Sequence, residues 1–214
     1  MRILAIETAT RRGSWALAED GEVVVSAEGP GEQSHAERFP AVLVDLLRDR
    51  GLTLRDVDAF AVATGPGSFT GLRIGIATAQ GFAMATGASV IPVPTLDAIA
   101  EGAARDPTAR GLEYIAAWLD GQRREIFAAL YAMRPREEGS ADLAPVLLMP
   151  PRSGPPAVIA REIAGLLHQP VADVHLQRAE RQHPQPRLRG RVHRGDGCNG
   201  FHLRHAGDAE LRVN

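Results

Sequence analysis

Apolar positions recur at different intervals along the chain, and each interval predicts a different element. Residues 2–8, Ser14–Ala18 and Val23–Ala27 read as three strands, joined by an Arg11-Arg12-Gly13 turn and a tight Asp20-Gly21 hairpin. Phe39, Val42, Leu43, Leu46 and Leu47 then fall at helical spacing. They predict a helix over 34–50, opened by a Ser34/Glu37 capping box and ended by Gly51. Ala59–Thr64 is a mostly apolar run of the kind a buried strand carries. A second helix opens at about Gly71, with Ser68 or Thr70 as its cap, and ends at Gly87. Ala88–Val93 reads as a short strand, and Pro94-Thr95 opens a helix that ends around Arg105-Asp106-Pro107.

The second half is patterned more weakly. Tyr114–Asp120 and Glu125–Tyr131 read as a strand pair turning at Gly121-Gln122. Residues 134–156 are rich in Pro, Gly and charge, with a short strand at Val146–Met149. Ile159, Ile163, Leu166 and Leu167 mark a last helix over 157–167. From 177 onward Arg, His, Gln, Pro and Gly dominate and periodicity vanishes. Such a stretch reads as a basic RNA-binding tail, as a disordered extension, or as the product of a reading-frame slip in GC-rich coding sequence. The expected divisions are 1–106, 107–176 and an irregular basic tail over 177–214.

Composition narrows the chemistry. With 214 residues, 44% hydrophobic and 23% charged, the chain can bury a real core. Up to Gln177 there are 16 Arg against 22 Asp and Glu, a balance of −6; beyond it, 8 Arg against 4 acids give +4. An acidic body is a poor start for gripping RNA by its phosphates alone. A single cysteine, Cys198, excludes an internal disulfide framework and a multi-cysteine metal site. The opening apolar run, Ile3 to Ile6, is too short for a signal peptide, and no run of about 18 apolar residues exists, so a cytoplasmic protein without a membrane span is expected.

The densest motif is Gly65-Pro-Gly-Ser-Phe-Thr-Gly-Leu-Arg73, placed between strand and helix. A glycine turn feeding a helix N-terminus presents free amides that suit an anion, which marks Gly65, Gly67, Ser68 and Thr70 as a vestigial phosphate loop. The dinucleotide fingerprint fails, because the third glycine comes one residue late at Gly71. A Walker loop and Schiff-base chemistry both need lysine, and the chain has none. Gly71, Gly75, Ala79 and Ala83 recur at four-residue spacing, so one helix face is nearly bare backbone. That face suits either close packing on the chain's own sheet or close approach by another helix.

The order of three antiparallel strands, a helix and a parallel strand is that of half an actin-like fold. The Gly65–Gly75 motif, with Ala79-Gln80-Gly81 behind it, resembles the signature of the TsaB (YeaZ) family. The opening Met1–Thr10, Ser34–Arg38 and Trp118–Phe127 match that family in order and spacing, and the likeness covers roughly 1–170. The resemblance implies an α/β, actin-like (ASKHA, ribonuclease-H-like) two-lobe fold with mixed sheets, the second lobe degenerate and incomplete. It also implies a non-catalytic subunit in the making of N6-threonylcarbamoyladenosine at position 37 of tRNA. Its partners would be a catalytic TsaD-like homologue, a TsaE-like ATPase and, through the complex, tRNA, with a homodimer when alone and no membrane. No cofactor would be bound tightly by this chain alone; ATP and a divalent metal would belong to the assembled complex.

Individual residues carry the rest. In actin-like enzymes the first hairpin holds metal and phosphate; here Glu7-Thr8-Ala9-Thr10 stands there, with Ala9 where a glycine would admit phosphate. A metal reading of His35 would need a second histidine in reach; the resemblance implies a pair four residues apart on a helix in the family's catalytic partner, and that position here is Phe39. Asp120 suits turn capping and pairing with Arg123 or Arg124 better than metal binding. No catalytic or metal residues are expected. The expected partner interface comprises His35, Arg38, Phe39, Val42, Gly71, Arg73, Gly75 and Ala79. The competing reading is a free-standing ATP-dependent phosphotransferase of the same fold; a glycoprotease lacks a nucleophile–base pair to support it.

Overall fold

The computed structural model describes residues 1–28, 39–106, 109, 111–138, 140, 142–167 and 199–203, the last stretch for its backbone only. They divide into two units, the first spanning residues 1–95 and the second beginning at Leu96.

The first unit is a five-stranded mixed sheet. Strands β1 (Arg2–Glu7), β2 (Ser14–Glu19) and β3 (Glu22–Glu28) form an antiparallel meander, and β4 (Ala59–Ala63) and β5 (Ser89–Val93) add in parallel beside β1, giving the order β3-β2-β1-β4-β5. Helix α1 (Phe39–Arg48) lies between β3 and β4 in sequence, and α2 (Phe69–Thr86) between β4 and β5. The capping residues Ser34 and Glu37 fall outside the described residues. Phe39, Leu43 and Leu47, spaced by four, are the buried side chains of α1, and they meet Leu4, Ile6, Leu17, Phe60 and Val62 of the sheet. Trp15 stands edge-on to Phe39 with ring centres 5.8 Å apart. Each such side chain, fully buried, contributes roughly 1.5–3 kcal/mol.

The second unit holds strands β6 (Tyr114–Gln122), β7 (Glu125–Pro135), β8 (Leu143–Gly154) and β9 (Asn199–Leu203), in the antiparallel order β8-β7-β6-β9. Its sheet is covered on both faces, so β6 and β7 read as continuous apolar runs. Ala116, Ile126, Ala128 and Leu130 pack with Ile159, Ala160, Ile163 and Ala164 of helix α4 (Pro156–Leu167). Their neighbours Ile115, Ala117, Ala129, Tyr131 and Met133 pack with Leu96, Ile99, Ala100 and Ala103 of helix α3 (Thr95–Ala104). That apolar face assigns α3 to the second sheet, so the division falls at 95/96 instead of the expected 106.

Two further differences from the sequence reading have simple causes. The β6–β7 turn is at Arg123-Arg124, because Gly121 and Gln122 are absorbed into β6 through a register shift after Asp120. Within the tail expected to be irregular, 199–203 forms β9, whose backbone pairs with the edge of β6; the rest of 177–214 lies outside the described residues. Among the described residues no helix is long and apolar enough to cross a membrane.

Candidate functional site

Parallel neighbours β1 and β4 end on the same side of the sheet, which brings their following turns together. The turn after β1 is held from within. The Glu7 carboxylate accepts the Thr10 amide at 2.7 Å and the Thr10 hydroxyl at 2.8 Å, and Gly13 N donates to Thr10 Oγ1 at 3.3 Å. The carboxylate at the position of the enzymes' metal-holding acid therefore spends both oxygens on its own hairpin.

The glycine loop closes over that hairpin. Its Gly65-Pro66 peptide is cis. Gly65 N donates to Thr95 Oγ1 at 3.1 Å, and Gly65 O accepts from Thr95 N at 2.7 Å, tying the loop to the start of α3. Ser68 N donates to Ala9 O at 2.8 Å, while the Ser68 hydroxyl caps α2 by accepting from Gly71 N at 3.2 Å. A Cβ at Gly67 would stand 2.5 Å from that of Ala9, so glycine is required by the contact itself. Three of the loop's amides are thus committed to protein acceptors, and Ala9 occupies the space beside Gly67. Of the four loop residues, Gly65, Gly67 and Ser68 are half-buried and Thr70 is exposed.

The small-residue face of α2 looks inward. A Cβ at Gly71 would lie 2.0 Å from Thr8 O, one at Gly75 would lie 2.2 Å from Thr8 Oγ1, and Ala79 is 0% exposed. The Thr8 hydroxyl is buried there without a hydrogen-bond partner. Placement of Gly71, Gly75 and Ala79 on an outer interface is corrected: they let the helix sit directly on the β1 turn. Phe39 is likewise core, against Trp15, and Val42 is half-buried. His35 and Arg38 lie outside the described residues.

The outward face of α2 is a stripe that the small-residue pattern concealed. Phe69, Arg73, Ala77, Gln80 and Met84 are all exposed at helical spacing, Phe69 to 68% and Met84 to 88%. The Arg73 guanidinium lies 3.8 Å from the centre of the Phe69 ring. Of the eight expected interface residues, Arg73 is the one the described structure places on this stripe. The signal was present: positions 200° around a helix from 71 and 75 are 73 and 77. Asp120 does not pair with Arg123 or Arg124; its Oδ1 accepts Gln122 N at 2.8 Å. No group of three or more His, Cys, Asp or Glu is placed to hold a metal among the described residues.

A meander joined to parallel β4 and β5, with a second sheet following, defines an actin-like α/β protein. A family model described as TsaD, tRNA N6-adenosine threonylcarbamoyltransferase, matches residues 24–141, more than half of the chain. The YeaZ structure from Pseudomonas aeruginosa superposes with a TM-score of 0.60 at 32% identity, covering 72% of this chain and 68% of that one. The chain belongs to the TsaB (YeaZ) family of this actin-like superfamily. The Escherichia coli K12 protein described as tRNA threonylcarbamoyladenosine biosynthesis protein TsaB is 42% identical over 132 residues, 61% of this chain and 55% of that protein. The Haemophilus influenzae protein of the same description is 35% identical over 127 residues, 59% of this chain and 52% of its own length. The chain thus spans about half the length of these curated relatives. A second Pseudomonas aeruginosa structure, with a TM-score of 0.61, is described as an uncharacterized protein similar to peptidase YeaZ.

Proposed function

We propose that this chain acts in tRNA threonylcarbamoyladenosine biosynthesis as a non-catalytic scaffold subunit. It docks on and activates a catalytic threonylcarbamoyl-transferase homologue, which modifies position 37 of tRNAs reading ANN codons. A TsaE-like ATPase joins the assembly, and ATP and a divalent metal act there; self-association of this chain when alone uses the same surface. The biosynthetic role rests on the descriptions of the relatives.

The observation that carries the scaffold reading is the outer face of α2. A lone phenylalanine or methionine on a surface is ordinary, but Phe69 and Met84 at the two ends of one exposed helical stripe, with Arg73 between, make an anchor set for a partner helix. The phosphotransferase reading is disfavoured by the loop, whose Ser68 amide is spent on Ala9 and whose Gly67 is packed against it. Co-purification with the catalytic homologue, followed by threonylcarbamoylation of tRNA, tests the proposal. Failure to associate, with the homologue active by itself, would overturn it.

A further inference from the structure

The β6–β7 hairpin belongs to a stretch that resembles the family, 118–127, yet docking through α2 makes no use of it. Its geometry is unusual. Gln122 pairs with Glu125, leaving Arg123 and Arg124 as the two central residues of a two-residue turn. Both have positive φ, 51° and 67°, and Gln122 before them has 64°. A hairpin turn with positive φ at both central positions matches strand twist, and Asn-Gly or Asp-Gly fills it at the lowest cost. The first unit supplies the contrast: its β2–β3 hairpin places Asp20 and Gly21 at φ 49° and 91°. Arginine does nothing for such a turn, since its Cβ only disfavours left-handed backbone. Its side-chain chemistry is what the position gains.

That chemistry is two neighbouring guanidiniums on a short, sheet-anchored tip. Gln122, Arg123, Arg124 and Glu125 are all exposed, so the tip offers no apolar anchor for a protein interface. Among the described residues neither arginine makes an ion pair or hydrogen bond, and the nearby Asp120 already caps the Gln122 amide. Paired guanidiniums held by a rigid turn suit the phosphate oxygens of a polyanion. We propose that the Arg123-Arg124 tip contacts the phosphate backbone of RNA, a deepening that rests on the tRNA reading above. With a balance of −6 up to Gln177, the body does little long-range attracting, so the tip positions the RNA by local contact.

The test is a titration of unmodified tRNA with the full chain between about 50 and 200 mM salt, where phosphate contacts register as the slope of affinity against salt. The Arg123→Gln/Arg124→Gln variant should bind several-fold more weakly, and its slope should fall by about two. Arg123→Lys/Arg124→Lys keeps both charges and should keep the slope, and both variants should melt with the native chain. Native affinity and slope in the Gln variant would overturn the proposal. So would equal loss in the Lys variant, competition by polyglutamate as strong as by RNA, or no binding by the native chain. Binding through the tip without any support of threonylcarbamoylation would remove the functional reading and leave the tip standing. Supported modification with an unaltered slope in the Gln variant would do the reverse.

Discussion

Gly71 and Gly81 sit ten residues apart on α2 and make opposite predictions for the same substitution. A methyl group at Gly71 meets the backbone oxygen of Thr8 at 2.0 Å, an atom that cannot turn aside as a side chain would. Gly71→Ala should cost about 1–3 kcal/mol, read as a lower denaturant midpoint. At Gly81 nothing lies within 4 Å, so Gly81→Ala should instead raise stability by roughly 0.5–1 kcal/mol through helix propensity alone. A residue-scale pH prediction comes from Tyr131. Burial chiefly, and the 2.6 Å hydrogen bond it donates to Asp97 secondarily, raise its pKa above the ordinary tyrosine value. The folded state therefore favours the protonated phenol. That preference is fully satisfied below about pH 10, and stability falls as the unfolded chain begins to ionise above it. Tyr131→Phe should flatten the decline between about pH 10 and 11, at a cost on the order of 1 kcal/mol near neutrality.

At the scale of elements, a helix in a sheet protein has one face to bury and one to show, and α2 shows how its sequence can be read backwards. Gly71, Gly75 and Ala79 mark the place where it comes closest to the turn after β1, while the exposed stripe carries Phe69 and Met84 at its ends. Phe69→Asp with Met84→Asp should therefore leave the melting temperature unchanged and cut capture of the catalytic homologue tenfold or more. A large fall in melting temperature with capture intact would assign the stripe to internal packing. The period-2 and helical patterns made β1 to β5, α1 and α2 legible in advance: α1 buries a regular stripe at Phe39, Leu43 and Leu47, and β4, buried on both faces, reads as a short apolar run. The fate of the Gly/Ala face was not legible, because small residues permit close approach by a sheet turn or a foreign helix equally. Ala9 was legible as a missing glycine, but not the Ser68–Ala9 hydrogen bond, which joins residues 59 positions apart. In the second unit, two-sided burial hid the faces of β6 and β7, and with them the true position of their turn.

For the whole molecule, the decisive question is whether a chain with an actin-like first unit turns over substrate by itself. Phosphate chemistry in such a fold needs an open amide cradle and a carboxylate free to hold metal. Here the Ser68 amide is bonded to Ala9 O at 2.8 Å, and both Glu7 oxygens accept from Thr10. Lysine is absent from the chain. Releasing the loop would break the Ser68–Ala9 bond and the paired Gly65–Thr95 bonds together. Purified alone with ATP and magnesium, the chain should neither hydrolyse ATP nor modify tRNA. Adding the catalytic homologue and the ATPase should bring modification, and the Phe69→Asp/Met84→Asp variant should fail to support it. Steady ATP hydrolysis by the isolated chain, abolished by Glu7→Gln, would show that the closed loop opens in solution and would return the phosphotransferase reading.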